Sequence, residues 1–244
     1  MTSTVAYNVF SRQTPFVDGA AIHVHIEPQN GCLLFRNWAH DLTVKAFRFD
    51  RVNSATAAWG VNGTAVENVG WRCGAACFKG DSHHIVNNTF FDSTDDLETA
   101  ALFVMMYDPS KSWSIKGENA HTRLTANAAD TIFNVSGVLP GIHTQNVGDV
   151  SIRSMLVDPE KNNFRPITNT AMDRLNAGAY NSNDNEQDYW IPGRRTSSGV
   201  GGGSSDVDCF EPKCQFWQIM REKLGIVLYS LQYRSSGTGT TVAN

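Results

Sequence analysis

Between Leu42 and Asp92 a short apolar–polar–aromatic phrase recurs three times. It reads Leu42-Thr43-Val44-Lys45-Ala46-Phe47-Arg48-Phe49-Asp50, then Val66-Glu67-Asn68-Val69-Gly70-Trp71-Arg72-Cys73, then Ile85-Val86-Asn87-Asn88-Thr89-Phe90-Phe91-Asp92. Aligning the phrases puts Phe47, Trp71 and Phe90 at equivalent places, roughly a score or two dozen residues apart, the interval at which stacked repeats recur. Each phrase is short, rich in β-branched and aromatic residues, and bounded by polar ones, as a strand is. None can bury its apolar face alone, so they must stack. The expectation is an all-β fold, a right-handed parallel β-helix or solenoid in which each phrase is one rung. Asn68, Asn87 and Asn88 then fall at turns, where side-chain amides stack from coil to coil.

The remaining chain fits that expectation. Ala20-Ala21-Ile22-His23-Val24-His25-Ile26 alternates, with Ile22, Val24 and Ile26 on one face and His23 and His25 on the other. Two histidines on one strand face are a solvated pair unless a third metal ligand joins them. Leu102-Phe103-Val104-Met105-Met106-Tyr107, closed by Asp108-Pro109, reads as a buried strand. Further strands are expected at Trp113 to Lys116, Thr131 to Val135 and Val150 to Val157, with no regular helix among them. Cys73 and Cys77 are four apart, a spacing that suits either a local disulfide at a corner or two small buried residues.

Phe164-Arg165-Pro166, preceded by Asn163 and followed by Thr170 and Asn176-Ala177-Gly178-Ala179-Tyr180, resembles the closing coil of pectin-lyase-like right-handed parallel β-helix proteins. That coil typically reads Asp-Phe-Arg-Pro, a Ser, then Asp-x-Gly-Ala; here Asn163, Thr170 and Asn176 stand in the Asp, Ser and second Asp places. Tyr189-Trp190-Ile191-Pro192-Gly193-Arg194 is similar to a phrase that follows this coil in extracellular regions of fibrocystin-like proteins. The resemblance implies an extracellular or cell-surface protein and a cap. In that cap Phe164 would plug the open end of the stack, Arg165 would bind exposed carbonyls of the last rung, and Pro166 would stop the ladder. It also implies that residues 1–195 are the C-terminal coils of a longer β-helix, with further coils upstream. The start of the chain, Met1-Thr2-Ser3-Thr4-Val5-Ala6-Tyr7, lacks the basic flank and apolar region of a signal peptide. The chain therefore reads as a fragment.

Residues 196–207 are Gly- and Ser-rich, a linker by composition. Residues 208–244 form a tail in which Trp217, Met220, Leu224, Val227, Leu228 and Leu231 recur at helical spacing. With net charge −4 and no basic run, the chain has no nucleic-acid footprint. No stretch approaches the ~18 apolar residues of a spanning helix. The sequons at Asn62, Asn87 and Asn134 are acceptors for glycans if the chain is secreted.

Chemistry is sparser. Enzymes of the β-helix class act on acidic polysaccharides with carboxylates, a Lys or Arg base and often calcium, and here the pair His83-His84 offers one further base. On that pattern the catalytic candidates are Lys79, His83 and Arg72, with Asp81 and His84 beside them. Asp92-Ser93-Thr94-Asp95-Asp96-Leu97-Glu98 places four carboxylates in seven residues, so Asp92, Asp95, Asp96 and Glu98 form a candidate calcium loop, although the EF-hand Gly and Glu spacing is absent. No lyase or hydrolase motif matches. The reading is therefore a non-catalytic extracellular segment of a larger cell-surface or secreted protein that binds a glycan or a protein, with a polysaccharide or glycoprotein as the ligand. The alternatives are a polysaccharide lyase or glycoside hydrolase of the same class, and a structural spacer.

Overall fold

The computed structural model describes residues 3–12, 19–24, 29–51, 60–94, 101–105, 107–110, 115–133 and 139–183. The chain divides into two units, Met1–Thr196 and Ser197–Asn244, and every described residue belongs to the first. That unit is mostly β, with parallel sheets and little helix. Strands come in threes. The first three are β1 (Thr4–Ala6), β2 (Val9–Ser11) and β3 (Ala20–Val24), followed by β4 (Leu33–Phe35), β5 (Trp38–His40) and β6 (Lys45–Phe49). Next come β7 (Thr64–Val66), β8 (Val69–Trp71) and β9 (Ala76–Phe78), then β10 (His84–Val86), β11 (Thr89–Phe91) and β12 (Leu102–Val104). β13 (Arg123–Thr125), β14 (Ala128–Ala129), β15 (Ile132–Phe133) and β16 (Ile142–Thr144) complete the series. Every strand pairs in parallel with the one three places along. This gives a first sheet β1-β4-β7-β10-β13-β16, a second β2-β5-β8-β11-β14 and a third β3-β6-β9-β12-β15.

Strands of three residues need sharp corners, and these are built from left-handed backbone. Tyr7, Arg36, Glu67, Asn87, Ala126 and Gln145, each closing a first-sheet strand, have φ between 51° and 59°. Such a conformation disfavours any residue with a Cβ. What offsets it is the residue that follows, which is asparagine every time. Asn8, Asn37, Asn68, Asn88, Asn127 and Asn146 form a ladder in which the main-chain N–H and the side-chain amide of each donate to Oδ1 of the next, at 2.9–3.2 Å. Asn68 and Asn88 thus stack as expected. Asn87 does not: its amide donates outward, to the carbonyls of Asn176 and Gly178.

The main core lies between the sheets. Leu34, Ile85 and Leu124 enter from the first, Ala39, Phe90 and Ala129 from the second, and Phe47, Phe49, Phe78 and Leu102 from the third. Alternation in β3 holds, Ile22 pointing into this core and His23 away from it. The equivalence of Phe47, Trp71 and Phe90 does not hold. Phe47 sits in the third sheet opposite Ile22, Trp71 in the second opposite His40 and Phe91, and Phe90 one place back opposite Gly70. Trp71 faces outward and Phe90 inward. Cys73 and Cys77 are both buried but on opposite faces, Cys73 in the main core and Cys77 with Ala75, Phe103 and Met105 outside the third sheet, and no disulfide joins them.

The Asn163 to Tyr180 segment also departs from expectation. It does not plug the end of the stack but lies along the outer face of the second sheet. Phe164 is fully buried, its ring 5.8–5.9 Å from those of Trp38, Trp71 and Phe91. Arg165 donates from Nε to Oδ1 of Asn163, its near neighbour, at 3.1 Å. An antiparallel pair, β17 (Leu156–Asp158) with β18 (Asn163–Pro166), carries Phe164. Instead of one strand from Val150 to Val157, a 3-10 turn at Arg153–Met155 precedes β17. A single-turn helix, α1 (Ala171–Leu175), is capped by Thr170 and closed by Asn176 in left-handed conformation. Gly178 then comes close enough to donate its N–H to the Ala126 carbonyl at 2.8 Å. With φ +98 there, and Thr89 Oγ1 2.8 Å from where a Cβ would lie, only glycine fits. Asn134, His25, Tyr189 to Arg194, the linker and the tail lie outside the described residues, as do Trp113 and Ser114 of the expected strand at Trp113 to Lys116, whose other two residues, Ile115 and Lys116, are not in a strand.

Candidate functional site

Lys79, Asp81 and His83 meet at the corner that leads from the third sheet to the first. Arg72 lies at the preceding corner, from the second sheet to the third, with β9 between. The three candidate catalytic residues are therefore not brought to one point. His83 is fully buried. Gly63 N–H donates to its Nδ1 at 3.0 Å, so Nε2 carries the proton and donates to the Lys79 carbonyl at 2.9 Å. Burial pushes its pKa down to about 4, so the ring is neutral at ordinary pH. Both nitrogens serve the main chain of the corner. Gly80 makes the turn between them, with φ +112 and the Gly60 carbonyl 2.0 Å from where a Cβ would sit.

Lys79 belongs to a second set of groups, centred on Asp50. Asp50 Oδ2 receives His23 Nε2 at 3.1 Å and Arg48 Nη2 at 2.8 Å, while Oδ1 takes the Arg51 N–H at 2.9 Å and lies 3.6 Å from Lys79 Nζ. Burial raises the carboxyl's pKa, but Lys79, the Arg51 N–H, Arg48 and His23 together hold it below the usual carboxylate range. Beneath this set Arg51 and Glu118 form a bidentate pair, Nε to Oε1 at 2.6 Å and Nη2 to Oε2 at 2.8 Å, with both side chains fully buried. Glu118 Oε1 also accepts the Gly80 N–H at 3.3 Å. The neighbouring Asn119 ties down the carbonyls of Phe78 and Met105. This corner is held rigid by internal ion pairs and amide bonds.

At the other corner the Arg72 guanidinium stacks 3.7 Å above the Trp71 ring and pairs with Asp41 at 2.6 Å. Asp92 accepts Arg153 Nη2 at 2.6 Å and Trp71 Nε1 at 3.0 Å on one oxygen. Glu160 completes the group, 3.0 Å from Arg153 and 3.5 Å from Arg72. Asp92 thus anchors the lateral segment. Asp95, Asp96 and Glu98 lie outside the described residues, and among the described residues no three His, Cys, Asp or Glu side chains converge on one point.

The accessible polar surface is elsewhere, on the outer side of the first sheet. Thr64, His84 and Arg123 stand in register on β7, β10 and β13. At the corner before them Asn62 Nδ2 donates to Asn30 Oδ1 at 2.5 Å, and His121 pairs with Asp81, Nδ1 to Oδ2 at 2.7 Å. The His121 side chain is 77% exposed. His84, half-buried, has its pKa lowered by desolvation and by the adjacent Arg123. These residues form a ridge of amide, carboxylate, imidazole and guanidinium groups running across successive layers.

Asn8, Asn37, Asn127 and Asn146, Arg51 with Glu118, and the His121–Arg123 ridge are not evident in the sequence reading. For the ladder a signal exists: Tyr7-Asn8-Val9, Arg36-Asn37-Trp38, Glu67-Asn68-Val69, Asn87-Asn88-Thr89, Ala126-Asn127-Ala128 and Gln145-Asn146-Val147 share one pattern. Compared with known proteins, the chain matches no family model, no curated protein and no solved structure.

Proposed function

We propose that the described residues are coils of a right-handed parallel β-helix within a non-catalytic extracellular protein, and that the first-sheet ridge binds a polysaccharide or glycoprotein glycan. The three-strand period of the sheets and the unbroken asparagine ladder support the coil reading. The observation that carries the binding reading is the ridge itself, with Thr64, His84 and Arg123 in register and His121 and Asn62 at its margin. Successive layers lie about 4.8 Å apart, so an extended glycan laid along the ridge meets a hydrogen-bonding group at each of the three layers β7, β10 and β13. Arg123 supplies a fork suited to a sugar carboxylate. The non-catalytic reading is supported by His83 and Arg72, whose polar atoms already serve the corner and the lateral segment.

The test is titration calorimetry against uronate-containing and neutral polysaccharides, with an absorbance assay for unsaturated product. Binding that weakens about tenfold in Arg123→Ala, without turnover, is the expected result. Turnover lost in Lys79→Ala would make the protein a lyase instead. Neither binding nor turnover would leave a structural spacer.

A further inference from the structure

The dipeptide Asn-Gly occurs twice in the chain, at Asn30-Gly31 and Asn62-Gly63. Both pairs lie at the corner that leads into the first sheet, one ahead of β4 and the other, one layer on, ahead of β7. Both asparagines are exposed, and their side chains meet, Asn62 Nδ2 donating to Asn30 Oδ1 at 2.5 Å. An asparagine followed by glycine is prone to lose ammonia, because no Cβ hinders the following nitrogen as it approaches the side-chain carbonyl carbon.

The two pairs differ in how that nitrogen is held. Gly63 is buried, and a Cβ there would lie 2.7 Å from the Phe49 ring, so packing admits only glycine. Its N–H donates to His83 Nδ1 at 3.0 Å, and its carbonyl accepts the His84 N–H at 2.9 Å. For the Gly63 nitrogen to reach Asn62 Cγ, the N–H must turn away from His83 and leave a buried acceptor without its partner. Gly31 is exposed instead. It is the second central residue of a turn closed by the Cys32 N–H on the Gln29 carbonyl at 2.8 Å, with φ +74. Among the described residues the Gly31 N–H meets no acceptor. The central peptide of such a turn can rotate without breaking the closing bond, since turn types differ in that rotation alone.

We propose that Asn30 is a deamidation site of the folded protein, and that Asn62, the same dipeptide one layer on, is held unreactive by the Gly63–His83 hydrogen bond. In the reaction the Gly31 nitrogen gives up its proton and attacks Asn30 Cγ. The N–Cγ bond forms, the Cγ–Nδ2 bond breaks, and the amide nitrogen takes up a proton and leaves as ammonia, giving a cyclic imide. Water opens the imide at either carbonyl, so position 30 becomes aspartate or isoaspartate. Water is the one co-reactant, and nothing is oxidised or reduced. The new carboxylate at position 30 can still accept the Asn62 amide, now as a charge-assisted bond. The inference goes beyond the glycan reading and does not need the ridge to bind anything.

The experiment is peptide mapping by mass spectrometry on the full chain aged in mildly alkaline buffer, native or in concentrated urea, with circular dichroism to verify the fold of each variant. In native wild type, conversion at Asn30 is expected to run at least about tenfold faster than at Asn62. In urea, where the corner is gone, the two rates converge. His83→Ala removes the acceptor and raises native conversion at Asn62 about tenfold while leaving Asn30 unchanged. His83→Gln, which can keep the acceptor, leaves Asn62 slow. Phe164→Ala lowers stability from the second sheet, away from this corner, and leaves both native rates as in wild type. Should His83→Ala fail to fold, the native and urea rates of the wild type at the two sites decide alone. Equal native rates at Asn30 and Asn62 overturn the proposal, as does an Asn30 that does not convert in native buffer. An Asn30 excess that persists in urea also overturns it, since the difference would then belong to the local sequence. The role of His83 is overturned if His83→Ala leaves Asn62 slow, or if His83→Gln or Phe164→Ala accelerates it as much.

Discussion

The side-chain amide of Asn88 donates to Oδ1 of Asn127, 39 positions along the sequence, at 2.9 Å, and Asn88 Oδ1 in turn accepts both the N–H and the amide of Asn68. Asn88 is fully buried and also satisfies the carbonyls of Ala65 and Val86. Replacing it by alanine leaves several buried donors and acceptors without partners, each costing about 1–3 kcal/mol. Asn88→Ala is expected to lower stability in urea by about 3 kcal/mol or more. Asn8→Ala, at the exposed end of the ladder, should cost under about 1 kcal/mol because water replaces the lost bonds. Equal losses at the two positions would mean that the ladder does not act through burial.

Arg51 and Glu118 form the most deeply buried ion pair among the described residues, and their contribution depends on which partner is removed. Glu118→Gln leaves a guanidinium in the interior facing a neutral amide, and Arg51→Met leaves a bare carboxylate. Each single change is expected to cost about 3–5 kcal/mol. Arg51→Met with Glu118→Leu removes both desolvated charges together and should recover most of that loss. Denaturant midpoints of the four proteins give the coupling directly. A double variant as unstable as the sum of the singles would mean that the pair is not coupled.

Strand alternation at Ile22, His23 and Val24, the apolar strand at Leu102, Phe103 and Val104, and the stacking of Asn68 on Asn88 are legible in the residues. The layer register is not. Successive ladder asparagines are separated by 29, 31, 20, 39 and 19 residues, so no fixed period aligns them. The corner loops absorb the differences, and aligning aromatic residues instead matched Phe47 of the third sheet to Trp71 of the second. The corner at Lys79 and His83 is visible as a cluster of titratable residues, but its environment is not. Arg51 and Glu118 lie 67 positions apart, and only the pairing of the strands into parallel sheets makes them neighbours. The Phe164-Arg165-Pro166 phrase signals an apolar docking segment. Its docking face, however, was set by Trp38, Trp71 and Phe91, which point outward from three successive strands.

His83 makes stability depend on pH in a defined window. In the unfolded chain its pKa is 6.5, and burial lowers it to about 4 in the folded one. Above pH 6.5 the ring is neutral in both states and its full contribution is present. As pH falls from 6.5 towards 4 the unfolded chain takes up the proton first, so stability drops by about 1.4 kcal/mol per pH unit, about 3 kcal/mol in all. Asp50 and Asp81, held below the usual 3.8, lose their contributions only at lower pH. Urea unfolding at intervals from pH 7.5 to 4 should reveal this slope. His83→Gln, which can keep an acceptor for Gly63 and a donor for Lys79, should reduce the slope to what His84, whose pKa is also lowered, contributes over the same range. A wild-type profile already flat over that window would place the titration elsewhere.

Phe164 tests whether the segment from Arg153 to Tyr180 is a lateral clamp or an end cap. Its ring sits against Trp38, Trp71 and Phe91 on the second sheet and 6.3 Å from Tyr180. Phe164→Ala opens a cavity there at a cost of about 3–5 kcal/mol. As a clamp, its loss exposes the outer face of β5, β8 and β11 while the core between the sheets stays packed by Phe47, Phe49 and Phe90. Native-state hydrogen exchange should then show reduced protection at β5, β8 and β11, with β3, β6 and β9 less affected. As a cap, its loss would instead deprotect β13 and β16, the layers nearest the end. Asn87 provides an internal control. Its amide holds the Asn176 and Gly178 carbonyls, so Asn87→Ala should release the far end of the same segment and give a milder version of the same exchange pattern. Deprotection confined to β13 and β16 in both variants would contradict the lateral arrangement.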